Sequence, residues 1–420
     1  MLHAFDTRRN RVALFLLLIA ALFAPHILSA QEQDEIRGVP AEPADAPEIH
    51  AQMAIAENLL GKTPDRGAVL YFLAVSYAQL HETRDAMSKL SECVALQEGF
   101  DPDGDPAFAA FKSSGDFTKL VQKTHKDFPA VARSRLAYTI LEKDLIPEGL
   151  AYDPIANLFY LSSLNRRKIV KIPYEGKPAD FVPADRDHLL PVLGIRLDPA
   201  DGSVWANSFL DTGRTELLHF DRAGTLLGRF SVGGEEKHGF NDLVVLRSGV
   251  IYLTDTLAHK LYRFDAKTQN FAEQKVSRSL LQPNGIALGD DEQTLYVADQ
   301  LGIIRVDLKT HSSSEVDPGP HNTLSGADGL YWHKNTLIAV QNGIGSPRIA
   351  QFSLSKDGLR VAKTTILENR STFTVLPTTG ALREDDFYFI VNSQLDNLNG
   401  VHILDPLKLE PIRIGVLHLP

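Results

Sequence analysis

Apolar residues recur along this chain in two different rhythms. From about residue 48 to 128 the rhythm is helical. Leu70, Leu73, Ala74, Tyr77 and Leu80 fall three and four apart, and Ala86, Leu90, Cys93 and Val94 share a second face. This spacing predicts helices over 49–60, from Pro64-Asp65 onward, and from about Arg84. From Ala137 the rhythm shortens to β-branched and aromatic runs bounded by Asp-Gly, Asn-Gly and Lys-Thr turns, which predicts strands.

The strand region repeats. Six stretches open alike, at Glu148-Gly149-Leu150, Leu193-Gly194-Ile195, Asn241-Asp242-Leu243, Asn284-Gly285-Ile286, Asp328-Gly329-Leu330 and Thr379-Gly380-Ala381, with intervals of 45, 48, 43, 44 and 51 residues. A period of that size belongs to radial or solenoid architectures. After each opening a second strand is expected, over 158–162, 204–207, 250–254, 294–298, 337–341 and 387–392. A third is expected over 168–172, 216–220, 260–264, 302–306, 348–352 and 400–404. A ragged fourth follows in most units. The fold class is therefore mainly β, a six-bladed β-propeller over 135–420, behind a small α-helical domain over 48–130. Two strands are left over, at 136–141 and 412–419. The front one is expected to complete the last blade and lock the ring.

The first strand of each propeller blade lines the central channel, so the six openings share one height on its wall. Four of them begin with an oxygen donor: Glu148, Asn241, Asn284 and Asp328. Two carboxylates and two amides around one axis make a hard-cation site. The absence of histidine and cysteine at these positions argues against zinc and copper. Calcium accepts six to eight oxygens in loose geometry and suits the set best, with magnesium or manganese as substitutes. The second strands end in Ser163, Ser208, Asp255, Asp299, Asn342 and Ser393, returning to the same height. An asparagine that gives its oxygen to a metal must donate its NH₂ elsewhere. Asp255 is therefore expected to orient Asn241, and Asp299 to orient Asn284, with Asn342 and Ser163 also supporting the donors from behind.

Charge and the ends of the chain narrow the picture. A formal charge of −10 and a pI near 5.8 exclude the basic face that a nucleic acid would need. Arg8, Arg9 and Arg11 precede an apolar run over 12–24, and Leu28-Ser29-Ala30 offers small residues for cleavage. Residues 1–30 read as a secretory signal, whose apolar run of thirteen residues is short for a span that needs about twenty. This implies a secreted or periplasmic protein with no stable membrane insertion after cleavage. Residues 31–47 read as a solvated linker. Cys93 is the only cysteine, so no internal disulfide can form. Asp101, Asp103 and Asp105 alternate like a calcium loop but lack its glycine and glutamate positions, which leaves a solvated turn.

Two resemblances follow from these residues. Leu73-Ala74, Tyr77, Ala86 and Leu90 resemble one tetratricopeptide repeat, departing at Cys93 and Glu98; a single unit implies a helical cap or a protein-partner groove. Ile146-Pro147-Glu148-Gly149, Phe240-Asn241-Asp242, Gln282-Pro283-Asn284-Gly285 and Ala327-Asp328-Gly329 resemble the senescence-marker/gluconolactonase/luciferin-regenerating-enzyme-like family of six-bladed propellers. That resemblance implies a divalent metal, usually calcium or zinc, and hydrolysis of a small-molecule lactone, ester or phosphotriester. It implies that Glu148, Asn284 and Asp328 are direct ligands, that Asn241 binds metal or faces substrate, and that Asp328 can act as base. Gly239-Phe240 stands where sugar-lactone hydrolases carry an arginine, and Leu243 replaces a glycine. The expected function is a metal-dependent lactone or ester hydrolase in which Asp328, with Glu148, activates water or forms the nucleophile. The alternative is a non-catalytic ligand- or protein-binding propeller with a structural calcium and a helical partner-binding segment.

Overall fold

The computed structural model describes Pro43 and residues 45–420 apart from position 211. The secretory signal and all but the end of the expected linker lie outside the described residues. No helix among the described residues is long and apolar enough to cross a membrane.

Six four-stranded antiparallel sheets are arranged as the blades of a propeller. Blade one runs Leu150–Asp153, Leu158–Ser163, Lys168–Pro173 and Ala179–Val182. Blades two to five begin with Val192–Leu197, Phe240–Val245, Ile286–Leu288 and Ala327–His333, and each continues through three further strands in chain order. These strands exist because both faces of every inner sheet are covered by a neighbouring blade. They read as near-continuous buried runs; Val204–Phe209 is buried at all six positions. The core accordingly divides into clusters between blades. Trp205, Leu217, Phe240, Leu243 and Phe264 fill the space between blades two and three. Trp332 stacks on Tyr296 with ring centroids 5.6 Å apart and so packs between blades four and five.

The last blade departs from the expected order. Its strands run Gly380–Arg383, Asp386–Ile390, Ile412–His418 and Arg135–Ile140. The third strand is thus Ile412–His418, not 400–404. The segment between holds only a small hairpin, Leu398–Asn399 with His402–Ile403. The Gly400 region matched the repeat spacing, but the apolar alternation that can pair with Asp386–Ile390 resides in Ile412–His418. Arg135–Ile140 pairs antiparallel with that strand and closes the ring. Deleting residues 131–144 should lower the melting temperature by about 10 °C or more, as expected for the loss of a whole strand from a cooperative fold. An unchanged calorimetric transition would show that closure contributes nothing to stability.

Among the described residues four α-helices precede the ring: α1 (Ala46–Leu59), α2 (Arg66–Gln79), α3 (Thr83–Leu96) and α4 (Gly115–Asp127). Asp65 caps α2 by accepting from the Ala68 amide at 3.2 Å. The same carboxylate also accepts from Thr323 Oγ1 at 2.9 Å and the Leu324 amide at 2.8 Å, pinning the helices to blade five. Leu281 and Leu301 pack among α1 and α2, and Ile344 joins the α2–α3 cluster. The expected solvated turn at 101–105 is solvated only at Asp103 and Gly104. Asp101 is buried against His125 and Arg370, and Asp105 accepts from Tyr71 Oη at 2.7 Å. Their charges are enclosed because the turn is sandwiched between the helices and the loop at Gly345.

Candidate metal and hydrolytic centre

The six openings form a continuous ring. A Cβ on Gly149 would lie 2.2 Å from the Leu193 carbonyl oxygen, and one on Gly194 would lie 2.4 Å from that of Asn241. Glycine stands there because the inner strands of adjacent blades touch at these points. The same proximity recurs between Gly285 and the Asp328 carbonyl. Blades three and four are tied by Thr254 Oγ1, which donates to the Asn284 carbonyl at 2.7 Å. Thr379 Oγ1 donates to the Glu148 carbonyl and returns the ring to its start.

On this ring the four expected donors are enclosed, with Glu148, Asn241, Asn284 and Asp328 between 2% and 9% exposed. Glu148 Oε2, Asn284 Oδ1 and Asp328 Oδ1 are buried without any hydrogen-bond partner. Native structures satisfy nearly all such atoms, so three bare acceptors at one place require an explanation. The other Asp328 oxygen, Oδ2, accepts from Asn342 Nδ2 at 2.6 Å. Asn241 donates its amide to Thr256 Oγ1 at 3.2 Å. No group of three or more His, Cys, Asp or Glu side chains among the described residues is disposed to hold a metal. The set on the ring is two carboxylates with two amides, a donor chemistry that hard cations take and soft ones do not.

Burial makes the two acids difficult to charge. Desolvation, then the charges of Asp328 and Asp242, push the Glu148 carboxyl well above the usual carboxylate range. Asp328 is pushed up to about 7, chiefly by burial, while the Asn342 and Asn284 amides hold it down and Asp242 raises it. A divalent cation would satisfy the three bare oxygens and remove this penalty together. The residues present therefore fit such an ion.

The supporting residues differ from expectation in three places. Asp255 does not hold Asn241. It pairs with His238 Nδ1 at 2.7 Å and accepts from the Gly239 and Ala258 amides. Asp299 does not hold Asn284. It binds Arg278 through both terminal nitrogens and accepts from the Leu281 and Leu301 amides. Both acids fix the loops that lead into the opening of their own blade, and loop donors reach them before the asparagine side chains do. Ser163 likewise donates to the Leu145 carbonyl and accepts from the Arg166 amide at 3.1 Å, serving a turn.

Arg196, Asp242 and Tyr331 were not singled out from the sequence. Arg196 donates to Asp242 at 2.8 Å and lies over the Tyr331 ring, 5.4 Å from its centroid. The signal was present, because Asp242 occupies the one opening position without glycine and Arg196 is a charge on an innermost strand. Arg196 and Tyr331 line a cavity of about 310 Å³ bordered by all six inner strands. Asp242 adjoins the ring, so the ion pair sits between the ring and that cavity and compensates one of the three axial carboxylates.

The face on which the inner strands begin is partly covered. Gln52 of α1 accepts from Gln282 Nε2 at 3.3 Å, two residues from Asn284. On the opposite side Leu395, Leu398 and Leu409 pack with Ile146, Leu164, Leu193 and Phe209. Leu164, Pro191, Phe209, Leu398 and Val401 form the wall of an apolar cleft there. Phe240, by contrast, is consumed in the core between blades two and three.

No protein-family model matches the chain, and no curated protein matches it. Solved structures do resemble it. A gluconolactonase from Xanthomonas campestris is 18% identical, with a TM-score of 0.47 over 70% of this chain and 98% of that one. Virginiamycin B lyase from Staphylococcus aureus is 15% identical, with a TM-score of 0.48 over 67% and 98%. A luciferin-regenerating enzyme is 14% identical, with a TM-score of 0.45 over 67% and 95%. At these identities and scores the likeness concerns the propeller fold alone, a scaffold on which function is set by the site.

Proposed function

We propose that this chain is a secreted or periplasmic hydrolase of the lactone or ester type, dependent on a divalent cation, with calcium the ion its donors suit best. The observation that carries the reading is the trio of buried, unpartnered oxygens on Glu148, Asn284 and Asp328. Together with Asn241 these residues would hold the ion. When bound, it would supply a Lewis acid that polarises a carbonyl and favours the developing oxyanion.

The chain's own groups do the rest. Asp328, oriented by Asn342 through Oδ2, is the carboxylate placed to take a proton from an attacking water, and the ion would keep it charged for that task. Glu148 adds negative charge and a second anchor from blade one, with blade six between it and Asp328. Arg196 neutralises Asp242, so the charge left at the ring belongs to the two proposed ligands. The helices and the 394–410 segment narrow access to the face where the ring lies, which restricts water. The apolar residues of α1 and α2 are occupied by Leu281 and Leu301, which favours the enzyme over a helical groove for a partner.

Metal analysis of the purified protein, paired with a lactone and ester screen, tests this reading. About one equivalent of calcium and a turnover abolished by chelation and restored by calcium are expected. Protein free of divalent metal that binds none on titration would overturn it.

A further inference from the structure

Blade two is the one blade whose opening residue, Leu193, is apolar. Its second strand carries Asn207, which is fully buried and whose Nδ2 and Oδ1 both lack a hydrogen-bond partner. Two bare polar atoms on one enclosed side chain are a sharper anomaly than one, because every other outlet for them is shut.

The sheet register locates this side chain. Asn207 stands opposite the bulge that carries Leu193 and Gly194, between the pairs Ile195 with Ala206 and Val192 with Ser208. The corresponding residue is Ser162 in blade one and Thr254 in blade three. Ser162 Oγ accepts from the Gly149 amide at 2.7 Å. Thr254 Oγ1 accepts from the Asp242 amide at 3.1 Å and donates to the Asn284 carbonyl at 2.7 Å. A short hydroxyl at this place already touches the ring. Asparagine is longer and makes neither bond.

We propose that Asn207 binds substrate: it supplies from a second strand the polar group that the first strand of blade two lacks, and its amide holds the acyl oxygen of the lactone or ester. The carboxamide can donate to that oxygen while its own oxygen accepts from water. This assignment rests on the hydrolase reading above. It adds a substrate-binding residue to that reading.

Asn207→Leu and Asn207→Ser test it, the second reproducing what blade one already tolerates. Turnover of dihydrocoumarin, γ-butyrolactone and p-nitrophenyl acetate is measured, alongside calcium affinity and thermal stability. Both variants are expected to lose about a hundredfold in kcat/KM. Calcium affinity should stay within about twofold, and Asn207→Leu should melt no lower than the parent because a bare buried amide has gone. Unchanged kcat/KM in an active, calcium-binding parent would overturn this assignment alone. A parallel loss of calcium affinity would make Asn207 a metal ligand and also overturn it. A parent that neither binds calcium nor turns over any probe would remove the hydrolase reading, and this assignment with it.

Discussion

Asp328→Asn is expected to abolish turnover by about a thousandfold or more and to weaken calcium binding by more than about a hundredfold. It is also expected to raise the melting temperature of the cation-free protein by a few degrees. The first two effects follow from one carboxylate acting as both donor and base. The third follows from burial. Asp328 is 2% exposed, with one oxygen bare and Glu148 and Asp242 as neighbours. An amide fills the same volume without the cost of desolvating a charge. Isothermal titration with calcium, kinetics on the probe substrates and calorimetry in chelator read the three effects separately. A variant that binds calcium normally would show that Asp328 is not a ligand.

Chelation is expected to lower the melting temperature more at pH 8 than at pH 5. In the cation-free folded protein Asp328 binds its proton up to about pH 7, and Glu148 is raised as well, whereas unfolded carboxyls release theirs near pH 4. Between those limits the folded state holds more protons than the unfolded state. Its stability therefore falls as pH rises through that window, and stays low above it. A bound cation reverses this by favouring the charged forms. At pH 5 it must first displace protons, and at pH 8 it need not. The difference should reach several degrees in differential scanning fluorimetry. Equal shifts at the two pH values would remove the coupled acids from the account.

The repeat was readable because each blade restarts at a crowded axis, where glycine and an oxygen donor recur at a spacing no packing elsewhere demands. Those constraints are local, so Glu148, Asn241, Asn284 and Asp328 stood out from single strands. Asn342 was found by its place at the end of a second strand. Asp255 and Asp299 held equivalent places, yet their partners arrive on loops, as His238 and Arg278 do. Loop reach leaves no period in a sequence. The last blade misled for a related reason. Residues 400–404 kept the interval while the pairing strand was displaced to Ile412–His418. Asn207 was hidden because its meaning lies in what it fails to bond, which only coordinates reveal.

The ring's seam carries a consequence for biosynthesis. Arg135–Ile140 must wait, unpaired, until Ile412–His418 has been made. The nascent chain therefore exposes an open strand edge while all the blades between are synthesised. Contacts so distant in sequence form slowly and late. A chain lacking Ile412–His418 would keep five complete blades and a permanently unsealed gap, a template for joining other copies rather than for closing on itself.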